Sequence, residues 1–196
     1  ASSLLTAVNN LLTEEGVKSY LVGGFVRDVL LGRDTADIDI AVAADAVEIA
    51  QQIANALSSR FVLLDKVNRV GRVVMADKEA PSGSQWELDF STFDGSIEDD
   101  LARRDFTIDA IAVDLGELVK DYGDVRLIDP FNGWADLQHG VIRAISEKAF
   151  QSDAARLLRA VRLAAELGFS IDSKTEALIR RYSHLIASVA GERVRE

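Results

Sequence analysis

From Ala36 to Val42 the chain alternates without a break, with Ile38, Ile40 and Val42 on one face and Asp37, Asp39 and Ala41 on the other. Successive side chains of a strand point to opposite faces, so this run is a half-buried β-strand with a carboxylate-bearing face. It commits the chain to a sheet. Upstream, the β-like run Tyr20 to Val22 meets Gly23-Gly24, and Phe25 to Leu31 has the apolar spacing of a short helix ending at Gly32. Asp45 followed by Glu48 marks a helix start, with Ala46, Ala50, Ile53 and Leu57 at helical spacing behind it. Further strands are expected at Arg60 to Leu64, Arg72 to Ala76 and Trp86 to Thr92, with the polar stretch Asp77 to Gln85 as a hairpin loop. Ile97 to Arg104 reads as helix and Thr107 to Val113 as strand.

Strand content fades after Ile145, and a boundary is placed near Ser146. Asp153 to Leu167 is strongly helical, with Gly168 as its stop. Ser173 and Glu176 form a capping box for a helix through Tyr182, and Leu185 to Val194 is expected to start a third. The last residues, GERVRE, stay helix-compatible without a stop signal, so the sequence is expected to be cut from a longer protein.

Hydrophobic residues make up 48% and charged residues 28%, the balance of a globular protein, and no apolar run approaches the roughly 20 residues a membrane helix needs. A membrane-spanning protein is not expected. The first residues, ASSLLTAVNN, lack the basic start of a secretory signal, and with no cysteine there is neither a thiol nucleophile nor a disulfide scaffold. The cytoplasm is the default compartment. Two histidines, 45 residues apart in sequence, do not suggest a histidine metal site. The net charge of −10 is unevenly spread: Lys and Arg outnumber Asp and Glu by 8 to 5 from Arg156 onward but trail by 14 to 27 before it. A basic helical part beside an acidic, cation-seeking part is the expected division.

Asp37 and Asp39 project from the same strand face with backbones roughly 7 Å apart. Two such carboxylates resist joint ionisation unless a cation lies between them, and hard oxygen ligands suit Mg²⁺, which takes its remaining ligands from water and substrate phosphates. Taken alone, the same spacing also describes a solvated strand face. Gly23 and Gly24 end a strand and open a helix, a geometry that brings backbone N–H groups toward phosphate oxygens, although an ordinary turn has the same composition. Asp89, between Leu88 and Phe90, adds a third carboxylate on another strand.

These segments resemble a known family, the class II tRNA nucleotidyltransferases together with the related bacterial poly(A) polymerases, of the polymerase-β-like nucleotidyltransferase superfamily. YLVGGFVRDVLLGRDTADIDIAV is similar to the first family motif, DDLARRDFTIDAIAVD to the second and LIDPFNGWADLQHGVIRAI to the third. DAARLLRAVRLAAELGF is similar to the fourth, and GERVRE to the opening of the fifth. The resemblance implies an α+β fold: a nucleotidyltransferase head of mixed, mostly antiparallel sheet with flanking helices over residues 1–145, then an all-helical neck over 146–196. It implies that Asp37 and Asp39 hold catalytic Mg²⁺, that Asp89 fills the third acidic position, and that Gly23, Gly24, Arg27 and Arg104 contact the incoming triphosphate. It also implies that Asp153 and Arg156, on one face of the neck helix, read the base edges of CTP and ATP, with Arg159 and Arg162 continuing that surface. For the arginines, ion pairs with Asp28 or Asp105 stand as the structural alternative, and for Asp153 and Arg156 a solvated helix salt bridge does.

The activity implied is template-independent addition of CMP and/or AMP to an RNA 3′ end, most simply tRNA 3′-CCA addition by two-metal in-line attack releasing pyrophosphate. Poly(A) synthesis and a noncatalytic nucleotide- or RNA-binding module are the alternatives. Three positions depart from the family pattern: Ser152-Asp153-Ala154 stands for Glu-Asp-Pro, Asp109 for Asn, and Asp94 for Arg.

Overall fold

The computed structural model describes residues 2–77, 80–81, 85–121 and 125–189 of the 196. The chain forms two compact units, one from residues 1–100 and 112–128, the other from 101–111 and 129–196. The boundary expected near Ser146 falls inside the second.

The first unit begins with helix α1 (Ser2–Glu14), which buries Leu4, Leu5, Val8 and Leu12, and continues through β1 (Ser19–Val22), α2 (Gly23–Leu30) and β2 (Asp37–Val42). Then come α3 (Ala46–Ala56), β3 (Arg60–Asp65), β4 (Val70–Ala76) and β5 (Gln85–Thr92). Asp45 caps α3 as its spacing predicts, its side chain accepting from the amides of Val47 and Glu48. Helix α4 (Ile97–Ala102) ends two residues short of the expected Arg104. The unit closes with β6 (Ala112–Asp114), α5 (Leu115–Lys120) and β7 (Leu127–Ile128).

These seven strands make one sheet in the order β3-β4-β5-β2-β1-β6-β7. Only β2 and β5 run parallel, and every other neighbouring pair is antiparallel, so the sheet is mixed and mostly antiparallel as expected. Ile38, Ile40, Leu88, Phe90 and Val73 are fully buried, and Ala46, Ile49, Ala50 and Ile53 of α3 join them in the core. Burying these side chains fixes which face of β2 and β5 is left for charge, because a slip of one residue would reverse both faces.

The second unit contains a 3₁₀ turn at Thr107–Asp109, then α6 (Gly133–His139), β8 (Val141–Ile142), α7 (Lys148–Ser152), α8 (Ala155–Leu167), β9 (Ser170–Ile171) and α9 (Ser173–Tyr182), with a second 3₁₀ turn at Ser183–Ser188. Phe106 and Phe150 pack with tilted rings, 6.3 Å between centroids, and Ile142, Leu157, Ala160 and Leu163 are buried in the same unit.

Several local expectations are corrected here. Thr107 to Val113 is not one strand, because the Thr107 hydroxyl donates to the buried Asp136 carboxylate at 2.7 Å and the Ala110 amide folds back on Thr107. Helix α8 starts at Ala155 rather than Asp153, which is extended (φ −151°, ψ 102°) and accepts from the Ala155 amide at 3.1 Å. Asp172, one residue before Ser173, caps α9 through the amides of Lys174 and Thr175. The third neck helix is a 3₁₀ turn as far as it is described, and the fifth motif, GERVRE, lies outside the described residues.

Candidate active site

In the first unit the parallel register sets Asp37 beside Glu87 and Asp39 beside Asp89. Partners in register share a face, so four carboxylates form a two-by-two block across β2 and β5. Partial burial raises the Asp37 pKa above its ordinary value, and the neighbouring charges of Glu87, Asp89 and Asp28 push the same way against that of Arg72. Asp39 lies more deeply, and its Oδ2 accepts from the Phe25 amide at 3.2 Å. One N-terminal amide of α2 is therefore turned to the carboxylate pair.

The glycine turn meets this block directly. Gly23 opens α2 at φ +65°, a conformation that favours glycine, and a Cβ on Gly24 would lie 3.5 Å from both Asp39 Oδ2 and Arg27 Nη2. Arg27 is 6% exposed and donates to Asp28 through Nε and Nη2 at 3.0 and 3.1 Å. The alternative of an ion pair with Asp28 is thus realised, but as a part-buried pair beside Gly24 rather than a surface one.

Two participants were missed in the sequence: Arg72 and Glu87. Arg72 lies opposite Asp89 in the β4–β5 ladder and takes both of its oxygens, Nε at 2.6 Å and Nη2 at 2.8 Å, while Nη1 donates to Glu87. Hydrogen bonding to Asp89 raises the guanidinium pKa further, outweighing partial burial. Alternation through Val70, Arg72 and Val74 was the available signal, but only the hairpin register says which carboxylates Arg72 faces. Asp94, the departure two residues past β5, is paired with Arg69 at 2.9 Å on the surface.

The residues present fit a Mg²⁺ site of modest protein content. Asp37 and Asp39 supply hard oxygens, and the charge crowding of Glu87 and Asp89 at Asp37 favours a cation. Mg²⁺ is commonly held by one or two carboxylates and completed by water and substrate phosphates.

In the second unit, Arg159 meets Asp105 at 3.0 Å through Nε and Asp109 at 3.4 Å through Nη2. Burial raises the Asp105 pKa, with Asp109 pushing the same way and Arg159 opposing. Asp109, the acidic departure from Asn, is itself buried, with the Arg159 guanidinium as its cation. Arg156 Nη1 donates to the Arg103 carbonyl at 3.1 Å, and its amide to the Asp153 carbonyl at 3.2 Å. Asp153 and Arg156 are therefore close but not on one helical face. Arg162 is exposed on α8, and Arg104 is half-buried just after α4. The third motif serves the framework: Asp129 accepts from the amides of Gly133 and Trp134, and Asp136 bonds Thr107 and Arg143.

Comparison with known proteins gives this arrangement its context. A family model described as "Poly A polymerase head domain" matches residues 19–143, and one described as "Probable RNA and SrmB-binding site of polymerase A" matches 168–196. The CC-adding tRNA nucleotidyltransferase of Geobacter sulfurreducens is 39% identical over 197 residues, covering 100% of this chain and 43% of that protein. That of Synechocystis is 41% identical over 180 residues, covering 90% of this chain and 40% of that protein. Among solved structures, the Thermotoga maritima CCA-adding enzyme complexed with tRNA superposes with a TM-score of 0.81 at 35% identity, over 98% of this chain and 45% of that one. The chain belongs to the poly(A) polymerase head-domain family, in which these tRNA nucleotidyltransferases are its relatives. It spans less than half the length of each protein compared. Among the described residues no helix is long and apolar enough to cross a membrane.

Proposed function

We propose that this chain carries the catalytic head and base-reading helices of a cytoplasmic, template-independent RNA nucleotidyltransferase, which transfers CMP and/or AMP from CTP and/or ATP to the 3′ end of tRNA. The observation that carries this reading is the carboxylate block of Asp37, Asp39, Glu87 and Asp89 beside the Gly23-Gly24 turn. The division into a head to Ile145 and a neck from Ser146 is part of the reading, supported by the head-domain match ending at residue 143.

In this reading Asp37 and Asp39 hold Mg²⁺, and Asp89 fills the third acidic position. Held there, Mg²⁺ would supply activation of an attacking 3′-hydroxyl and charge neutralisation for a departing pyrophosphate, the chemistry of a two-metal in-line transfer. Gly23 and Gly24 let the triphosphate approach the backbone, and Arg27, with its fork set by Asp28, binds phosphate oxygens; Arg104 is read as a second phosphate-binding guanidinium. Asp153 offers acceptors and Arg156 donors to the edge of a base. Arg159, fixed by Asp105 and Asp109, and the exposed Arg162 extend the nucleotide surface. Poly(A) addition is the second reading, favoured by the description of the matched family model.

The test is incorporation of labelled CMP or AMP onto tRNA lacking its 3′ CCA, in the presence of Mg²⁺. Asp37→Asn and Asp39→Asn are expected to lower incorporation by about 10²- to 10³-fold with native circular dichroism, a loss on the scale of removing one transition-state stabiliser. Undiminished incorporation by either variant contradicts the proposal.

A further inference from the structure

The fork of Arg72 on Asp89 and Glu87 sits in the row next to Asp37 and Asp39, with a side chain 28% exposed and partners at 25% and 22%. Solvent ions can reach all three groups, so the fork is not a sealed core pair. A guanidinium and a divalent cation compete for the same oxygens: both are satisfied by carboxylate lone pairs, and a cation on an oxygen already holding a guanidinium nitrogen would sit against a like charge. Both oxygens of Asp89 are engaged in this way.

We propose that Arg72 is an internal counter-cation, a positioning residue that withholds Asp89 and Glu87 from divalent ions and so confines the metal to Asp37 and Asp39. This rests on the reading of Asp37 and Asp39 as the metal pair. Arg72 thereby sets the number of carboxylates open to metal in the nucleotide-free protein at two of four. Carboxylate number is one of the main determinants of divalent affinity, so removing the fork tightens binding.

Calorimetric titration with Mn²⁺ tests the inference on the wild type and on Arg72→Met, Asp89→Asn, the double variant and Asp37→Asn. Arg72→Met is expected to tighten Mn²⁺ binding by about tenfold or more, the gain shrinking in Arg72→Met/Asp89→Asn, where only Glu87 is released. Asp89→Asn alone should leave the wild-type affinity unchanged, since the fork already withholds that carboxylate. Unchanged or weaker binding by natively folded Arg72→Met overturns the proposal. So does a tenfold loss in Asp89→Asn, which needs no folded Arg72 variant. Wild-type affinity that survives Asp37→Asn defeats the metal-pair reading instead, which keeps the two failures apart.

Discussion

Arg72 faces Asp89 across the β4–β5 ladder and holds both of its carboxylate oxygens, at 2.6 and 2.8 Å. Without divalent ions, this fork brings a cation to Asp89 and Glu87 and lowers the charge crowding at Asp37. Arg72→Met is expected to destabilise the metal-free protein by about 1 kcal/mol at low ionic strength, solvent exposure keeping the pair from being worth more. Urea unfolding at low and high salt checks this: the difference between variant and wild type should shrink as salt rises.

Asp37 gives the opposite sign. Its folded-state pKa lies above the ordinary 3.8, so the native state holds the proton more tightly than the unfolded chain does. Stability from this group therefore falls as pH rises from 3.8 through the raised value, and stays lower above it. Asp37→Asn should stabilise the metal-free protein at neutral pH by less than about 1 kcal/mol, given its exposure, and should give no gain near pH 3. Thermal melts at the two pH values decide it.

Asp172 caps α9 and also holds Arg143 Nη1 at 2.6 Å. Burial opposes its ionisation, but the amides of Thr175 and Lys174 and the Arg143 charge outweigh it, and its pKa is lowered. Its contribution is present above the ordinary 3.8 and is lost as pH falls through the lowered value. Asp172→Ala should cost about 1–2 kcal/mol at neutral pH, with Asp172→Asn, still a good cap, costing less. Guanidinium unfolding of both variants measures the difference.

Gly133 is packed against backbone. A Cβ there would lie 2.1 Å from the Thr107 carbonyl oxygen, which no side-chain movement can relieve. Gly133→Ala should cost about 1–3 kcal/mol or more, read as a lower urea midpoint with unchanged slope.

Much of the first unit was legible because its signals are local. Alternation through Asp37 and Asp39 marks β2 and its charged face, and Asp45 with Glu48 marks the start of α3. Helix α1 carried a readable stripe in Leu4, Val8 and Leu12 but drew no expectation. What stayed hidden depends on contacts distant in sequence. Arg72 meets Asp89 only through a hairpin register, Arg159 meets Asp105 and Asp109 across 54 and 50 residues, and Thr107 is turned by Asp136. Asp153 lies outside α8 because it is extended and its carboxylate accepts from the amide of Ala155, the first residue of the helix.

The most direct test of the account is calorimetric titration of this chain with CTP, ATP, GTP and UTP in Mg²⁺, beside Asp153→Ala. The account predicts binding of CTP and ATP over GTP and UTP, with that preference lost in the variant while circular dichroism stays native. Equal binding of all four by the wild type, or binding of none, would contradict it.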